Sequence, residues 1–314
     1  MSNTARNHHY IPQCYLRGFL DPSLEKEQFH VIDKTDRRCF VTTPRNVGSQ
    51  RDFNRVNISG QPIDAVEKLF AEIDGEIARI LKDVEEKATL PESTDMETLI
   101  YFTALLYKRN PQIRNHIGNC KTTIIKQMAR ALFFKPEKYE SYRQQQRAAG
   151  KELPKYETMK QFVESEDYDI RYGHGHHLRY ELEGIDNAVF PLLSRRKWSL
   201  FIAEKGASDF VCSDRPVALI SIGDPPENPD HSYNFGGPGL AQSNTKLTLP
   251  LNRRMALFST FEPLPDVHTV NDKVIADVNI RTILSAARQI YCSNLDFKFL
   301  DNGVMRDGKE FVDP

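Results

Sequence analysis

Residues 63–84 read IDAVEKLFAEIDGEIARILKDV, and within them Ile63, Val66, Phe70, Ile73, Ile77, Ile80, Leu81 and Val84 recur between charged neighbours. Intervals of three and four residues put these side chains on one stripe of a helix, so the segment predicts an amphipathic helix with one face buried. Immediately after it, Pro91 and Ser93-Thr94-Asp95 open a second helix. Met96, Leu99, Ile100, Phe102, Thr103, Leu105 and Leu106 make that helix apolar or small nearly all round, the pattern of a helix enclosed by others. Pro111 removes a backbone donor and is expected to kink or end it, with helix resuming over Ile113–Phe134. Further helix is expected over Glu137–Arg147, Tyr156–Glu166 and Leu178–Leu193.

Outward from this helical centre the period changes to two. On the N-terminal side, Phe29-His30-Val31-Ile32 and Cys39-Phe40-Val41-Thr42 flank the turn-type insert Asp33-Lys34-Thr35-Asp36 and predict a hairpin. On the C-terminal side, Trp198–Ala203, Phe210–Cys212, Val217–Ile222, Lys246–Leu251 and Met255–Ser259 are β-rich runs. Gly206, Pro216, Pro225-Pro226 and Gly236-Gly237-Pro238-Gly239 punctuate them, which predicts an antiparallel sheet. Asn271–Cys292 then reads as one closing helix. The expectation is an α+β protein, read as a single domain over 1–314. It has a small N-terminal β unit in 1–60, a helical layer in 61–195, and a β-rich region with a late helix in 196–314.

The global composition narrows the function classes. A formal net charge of −1 with 27% charged residues excludes nucleic-acid binding through bulk positive charge, so any phosphate contact must be local. No apolar run approaches the ~20 residues that span a bilayer, and Met1–Arg6 lacks a signal-peptide core. Cys14, Cys39, Cys120, Cys212 and Cys292 are odd in number and far apart, which predicts thiols in a reducing cytosol rather than a disulfide framework. A cytoplasmic location without membrane partners is expected.

Chemistry-bearing residues cluster in a few places. Asn7-His8-His9-Tyr10-Ile11-Pro12-Gln13 leads into the apolar Cys14-Tyr15-Leu16-Arg17-Gly18-Phe19-Leu20, so the N-terminus is expected to pack into the body. His8 and His9 are candidates for a general base or for metal ligation. Successive strand residues face opposite sides, so at most one of them points into a given site while the other pins backbone or faces solvent. The His-His-x-x-Pro string also occurs in ββα-metal (HNH) nucleases, although no downstream Asn and His on a short helix completes that motif; a structural or ligand-orienting role is the alternative. Pro44–Asn54, with Asp52 and Asn54 around Phe53, is expected beside these histidines.

Arg109, at the break before Pro111, is a candidate phosphate or carboxylate clamp, with a structural salt bridge as the alternative. Arg109 and His116 have the R-x6-H spacing of HEPN ribonucleases, but Pro111 falls inside it. In Ser213-Asp214-Arg215-Pro216, Asp214 is a candidate base or metal ligand and Arg215 a candidate anion contact; turn capping by Asp214 is the alternative. His174, His176 and His177 read as an exposed loop with adventitious metal affinity. Asn234–Gly239 lacks the Lys-Ser/Thr of a phosphate-binding loop.

Six of these features in order resemble a microbial family catalogued as domain of unknown function 4238. They are His8–Gln13 with Tyr15–Phe19, Asp52-Phe53, Arg109-Asn110-Pro111, Ser213–Pro216, Pro250-Leu251, and the segment Asn279–Tyr291. The resemblance spans His8–Ser293 and implies a bacterial, intracellular protein without naming a reaction; the His-rich loop is outside its pattern. If these motifs converge, His8, His9 and Asp214 would be catalytic and Gln13, Arg17, Arg109 and Arg215 would bind substrate. A divalent cation, magnesium or manganese ahead of zinc, would sit on His9 and Asp214. The expected function is a hydrolase on a phosphate-bearing substrate such as nucleic acid or a nucleotide, a nuclease-like toxin or defence effector. The rivals are a non-catalytic nucleotide-, RNA- or protein-binding module with an Arg-lined pocket, and an interaction protein using the charged Glu137–Lys155 segment.

Overall fold

The computed structural model describes residues 7–56, 62, 64–222 and 238–312. Ile63, Pro225-Pro226 and the Asn234–Gly237 part of the glycine-rich stretch lie outside the described residues. The fold is α+β. Strand β1 (Asn7–His9) leads through Pro12 into the short helix α1 (Gln13–Leu16); β2 (Phe29–Asp33) and β3 (Arg38–Thr42) form the expected antiparallel hairpin; and β4 (Ser49–Arg51) returns to pair antiparallel with β1. Helices α2 (Ala65–Lys87), α3 (Ser93–Lys108), α4 (Pro111–Phe133), α5 (Pro136–Ala148), α6 (Tyr156–Ser165), α7 (His174–Gly184) and α8 (Phe190–Ser194) follow. Then come β5 (Lys197–Ala203), β6 (Cys212–Ser213), β7 (Ala218–Ser221), β8 (Thr245–Asn252), β9 (Met255–Thr260), β10 (Val267–Val270), α9 (Asp272–Ser285), β11 (Gln289–Cys292), the hairpin β12 (Lys298–Asp301) and β13 (Val304–Asp307), and α10 (Lys309–Val312). None of the helices among the described residues is long and apolar enough to cross a membrane.

The chain divides into two compact units, Met1–Asn110 with Leu178–Pro314, and Pro111–His177. In the first, a sheet ordered β10-β5-β9-β8-β7 and another ordered β3-β2-β11-β6 share a core with α2 and α3. Ile77, Ile80 and Val84 of α2 are buried there against Leu99, Phe102 and Leu105 of α3 and Leu247, Leu249 and Leu257 of the sheet. The second unit has its own small core of Phe133, Tyr139 and Val163, with the Tyr139 hydroxyl donating to the Pro154 carbonyl at 2.8 Å and the Tyr156 hydroxyl to that of Phe133 at 3.0 Å.

The N-terminal hairpin joins a larger sheet, because β2 also pairs with β11 from the far end of the chain. Three details differ from the sequence expectation. The large sheet is antiparallel except at one edge, where β10 runs parallel to β5. The expected helix over 178–193 is interrupted by a wide π turn at Ile185–Val189 before α8; Pro191 has no N–H to give to the carbonyl four residues back, and its ring crowds that carbonyl. Asn271–Cys292 is a helix only to Ser285 and a strand from Gln289. The Asp214 carboxylate accepts the backbone N–H groups of Ala287, Arg288 and Gln289 at 2.8, 2.9 and 3.2 Å, taking the donors that further helix would need.

The N-terminal apolar run is packed into the body. Tyr15 is fully buried and its hydroxyl donates to the Pro250 carbonyl of β8 at 2.6 Å. Gly18 lies against the same strand, and its carbonyl accepts the Arg253 N–H at 2.8 Å. A Cβ at Gly18 would stand 2.8 Å from the Asn252 Cβ and 2.9 Å from the Leu251 carbonyl oxygen, inside van der Waals contact with backbone. Gly18→Ala is therefore expected to cost about 1–3 kcal/mol as an overpacking substitution, read as a lower urea midpoint at unchanged slope; an unchanged midpoint would show that the contact yields freely.

Candidate functional site

Strand β1 separates its two histidines by alternation. His8 is buried, and its Nδ1 accepts the Asn54 backbone N–H at 2.8 Å, tying β1 to the turn after β4. His9, on the opposite face, has its ring against the backbone of Arg45 and Pro44, and its Nε2 is buried without a hydrogen-bond partner among the described residues. Desolvation lowers the His9 pKa below the usual histidine value, and the charge of Glu67 and the backbone bonds only partly offset that. The ring is therefore neutral at pH 7, with a nitrogen left to receive a proton or a ligand.

His9 lines a cavity of about 370 Å³ with Pro12, Gln13, Cys14 and Arg17 from the turn and α1 segment, one face of α2, and Arg109. The α2 face is Glu67, Phe70, Ala71, Asp74, Gly75 and Ala78, residues three and four apart that share a side of the helix. Small residues at 71, 75 and 78 leave the space; a Cβ at Gly75 would meet nothing within 4 Å. Phe70 is buried and carries the Arg109 guanidinium over its ring at 3.5 Å from the centroid.

Arg109 is held where α3 stops. Its N–H still donates to the Leu105 carbonyl at 2.8 Å, and after Asn110 a new helix begins at Pro111. Its Nη2 donates to Asn54 Oδ1 at 3.0 Å, and Asn54 Nδ2 donates to Glu67 Oε2 at 2.8 Å. Asn54 thus joins His8, Arg109 and Glu67 through its backbone and both ends of its amide. Buried Arg196, by contrast, uses its guanidinium on Ser259, Thr245 and the Leu240 carbonyl, none of them at the cavity. Arg17 at the mouth is half exposed and pairs with Glu27 at 3.2 Å.

Asp74 is the most perturbed acid of the cavity. Desolvation drives its pKa up, the charge of Arg109 pulls it down, Glu67 pushes it up again, and the result is about 6. The nearby Cys14 thiol donates to the Asp74 backbone carbonyl at 3.4 Å, and burial raises its pKa to about 11, which keeps it protonated.

Of the residues expected from sequence, His9, Gln13, Arg17 and Arg109 come together here, while His8 supports them from behind. Asp214 and Arg215 are not on the cavity wall. Both Asp214 oxygens are taken by the backbone donors of 287–289, and its own carbonyl accepts from Asn110 Nδ2 at 2.7 Å. Arg215 donates its N–H to Ser213 Oγ at 3.2 Å, and its charge lies near Asp214, Lys34 and Tyr107. A cation shared by His9 and Asp214 does not fit this arrangement, and among the described residues no group of three or more His, Cys, Asp or Glu gathers to hold a metal. His176 and His177 belong to the first turns of α7 rather than a loop, with the Tyr172 ring stacked on His176 at 5.6 Å and edge-on to His177 at 5.7 Å. The side chain of His174 lies outside the described residues.

Glu67 and Asp74 were missed by the sequence reading, which expected Asn54 beside the histidines but gave it no role. The signal was present in α2 as a second stripe, Glu67-Phe70/Ala71-Asp74/Gly75-Ala78, in which acids alternate with small residues.

The profile of the family described as Protein of unknown function (DUF4238) matches residues 7–296, and the chain belongs to that family. No curated protein and no solved structure matches it.

The Asp74 shift has a consequence for stability. Its folded pKa of about 6 lies above the ordinary 3.8, so the folded protein holds a proton that the unfolded chain releases. The associated stability is complete below about pH 4 and is lost as pH rises through about 6. Asp74→Asn is therefore expected to be more stable than the wild type at pH 7.5, by about 1 kcal/mol after allowance for solvent screening. The difference should vanish near pH 4. Denaturant midpoints at the two pH values check it; equal differences at both would show that charge on Asp74 is not strained.

Proposed function

We propose that this protein is a hydrolase acting on a phosphate-bearing substrate of about nucleotide size, with a nuclease-like phosphodiester as the favoured class. His9 is the general base and Arg109 neutralises charge on the phosphoryl oxygens. The observation that carries the reading is the buried, unpartnered Nε2 of neutral His9 in a cavity that also presents Arg109. Buried polar atoms are nearly always bonded, and an exception in a cleft is where a reacting group would complete the set. The cavity volume of about 370 Å³ is within the usual size of a small-ligand site. A local anion site of this size also suits a chain whose net charge is −1, which has no bulk field to follow a duplex.

In this reading water donates its proton to His9 Nε2 and its oxygen attacks phosphorus. Backbone contacts fix the imidazole, and the Asn54 amide with the Phe70 ring fixes Arg109, so neither group must reorganise as charge develops. Gln13 and Arg17 stand at the same wall to orient the rest of the substrate. The rival, a non-catalytic anion pocket, gains less support, because Glu67 and Asp74 line the wall with the arginines and repel an anion unless they take part in proton movement.

Purified protein, assayed with and without added Mg or Mn, is expected to hydrolyse nucleotide phosphodiesters. His9→Ala should lower kcat by about 10²–10⁴ and Arg109→Ala by about 10²–10³. Gly75→Leu, which fills the open space beside Asp74 and replaces a mid-helix glycine, should lower kcat/KM while leaving the melting temperature unchanged or higher. A wild type that turns over no phosphodiester, or a Gly75→Leu variant as active as wild type, would overturn the assignment; binding of nucleoside monophosphate without turnover would favour the rival.

A further inference from the structure

Other carboxylates buried or half-buried in the first unit have their partners within the protein. Glu67 accepts from Asn54, Asp33 pairs with Arg288, Asp209 is held by Arg253, Arg254 and Ser293, and Asp214 by three backbone N–H groups. Asp74 differs. Its carboxylate has no hydrogen bond or ion pair among the described residues, although it is half-buried and on the cavity wall. Its surroundings are Phe70 one turn back, Gly75 and Ala78 beside and ahead, and Cys14 at its backbone. Arg109 on the same wall lies close enough for its charge to act on Asp74, yet no donor among the described residues is bonded to the carboxylate.

On that placement, and resting on the hydrolase reading above, we infer that Asp74 is the general acid of the site, giving its proton to the leaving oxygen while His9 receives the proton of the attacking water. The bonds balance as follows. The water O–H proton moves to His9 Nε2, the water oxygen forms a bond to phosphorus, the phosphorus–oxygen bond to the leaving group breaks, and that oxygen takes the proton of the Asp74 carboxyl. The imidazolium then returns its proton to the Asp74 carboxylate through solvent, and the enzyme is reset without an oxidant or reductant.

The charged and titratable groups facing Asp74 are His9 from β1, Cys14 and Arg17 from α1 and the turn after it, Glu67 from α2 itself, and Arg109 from the end of α3. Glu67 and burial favour the protonated acid, Arg109 opposes them, and the balance leaves Asp74 titrating at about 6. His9 is lowered by burial below the ordinary 6.5. A neutral base and a protonated acid therefore coexist best on the acid side of neutrality, where the rate optimum is expected.

Leaving-group chemistry tests the inference, because a nitrophenolate departs without a proton and a nucleoside alkoxide does not. Wild type and Asp74→Asn are compared on a p-nitrophenyl ester of a nucleoside monophosphate and on a dinucleotide. The substitution is expected to lower kcat on the dinucleotide by about 10² or more, to change it on the nitrophenyl ester by no more than a few fold, and to remove the alkaline descent of the dinucleotide pH profile. Equal losses on both substrates, or an unchanged profile, would overturn the acid role while leaving the hydrolase intact. A wild type inactive on both would overturn the hydrolase reading itself and the acid role with it.

Discussion

The Tyr15 hydroxyl bonded to the Pro250 carbonyl, 2.6 Å away in a fully buried environment, ties the beginning of the chain to its central sheet. A buried phenol O–H usually finds a partner, and here the partner is the carbonyl of a proline, whose residue has no N–H of its own to place in the β ladder. Gly18 makes the tie close, since only a residue without a Cβ lets α1 and the turn after it rest on Leu251 and Asn252. With this segment fixed, β1 is held from one side by α1 and from the other by β4, and the direction of His9 follows from strand alternation. Residues that would ordinarily fray can therefore carry chemistry.

Asp214 illustrates how a structural carboxylate can resemble a reactive one. Its position at a strand end, its neighbouring Arg215 and its raised pKa are all features of a catalytic acid. The difference lies in what its oxygens touch. Three backbone donors from 287–289 surround it, and through them it ends α9 and starts β11, which in turn accepts the N-terminal hairpin into its sheet. Asp74 has the opposite character, a raised pKa with no bonded partner. Hydrogen-bond satisfaction, and not burial or charge alone, separates the two.

The legible parts of the fold were those set by local repetition. The stripe of Phe70, Ile77, Ile80 and Val84 and the all-round apolarity of Leu99–Leu106 define α2 and α3 because packing positions recur every turn. The segment 286–292 was not legible, since Ile290, Tyr291 and Cys292 suit either period and the deciding donors and acceptor lie more than seventy residues apart in sequence. The site was legible in half. His9, Gln13, Arg17 and Arg109 are unusual in local context, a histidine pair beside an apolar run and an arginine at a broken helix. Glu67 and Asp74 are not, because an acid on an amphipathic helix reads as its solvated face; only the small residues at 71, 75 and 78 between them mark that face as a wall.

The charges on that wall constrain what can bind. Inside the cavity Arg109 carries one positive charge, His9 none at neutral pH, and Glu67 with ionised Asp74 two negative ones, so the inner wall is net negative until Asp74 takes up a proton. A phosphodiester brings one negative charge, which raises the cost of ionised Asp74 further, since like charges in a partly desolvated space favour protonation of the weaker acid. Arg17 is tied to Glu27 at the exposed mouth and contributes little inside, and Glu67 is bonded to the Asn54 amide. In the hydrolase proposed above, entry of an anionic substrate and proton uptake by Asp74 would be coupled, since the charge that Arg109 would attract is the one that would load the neighbouring acid.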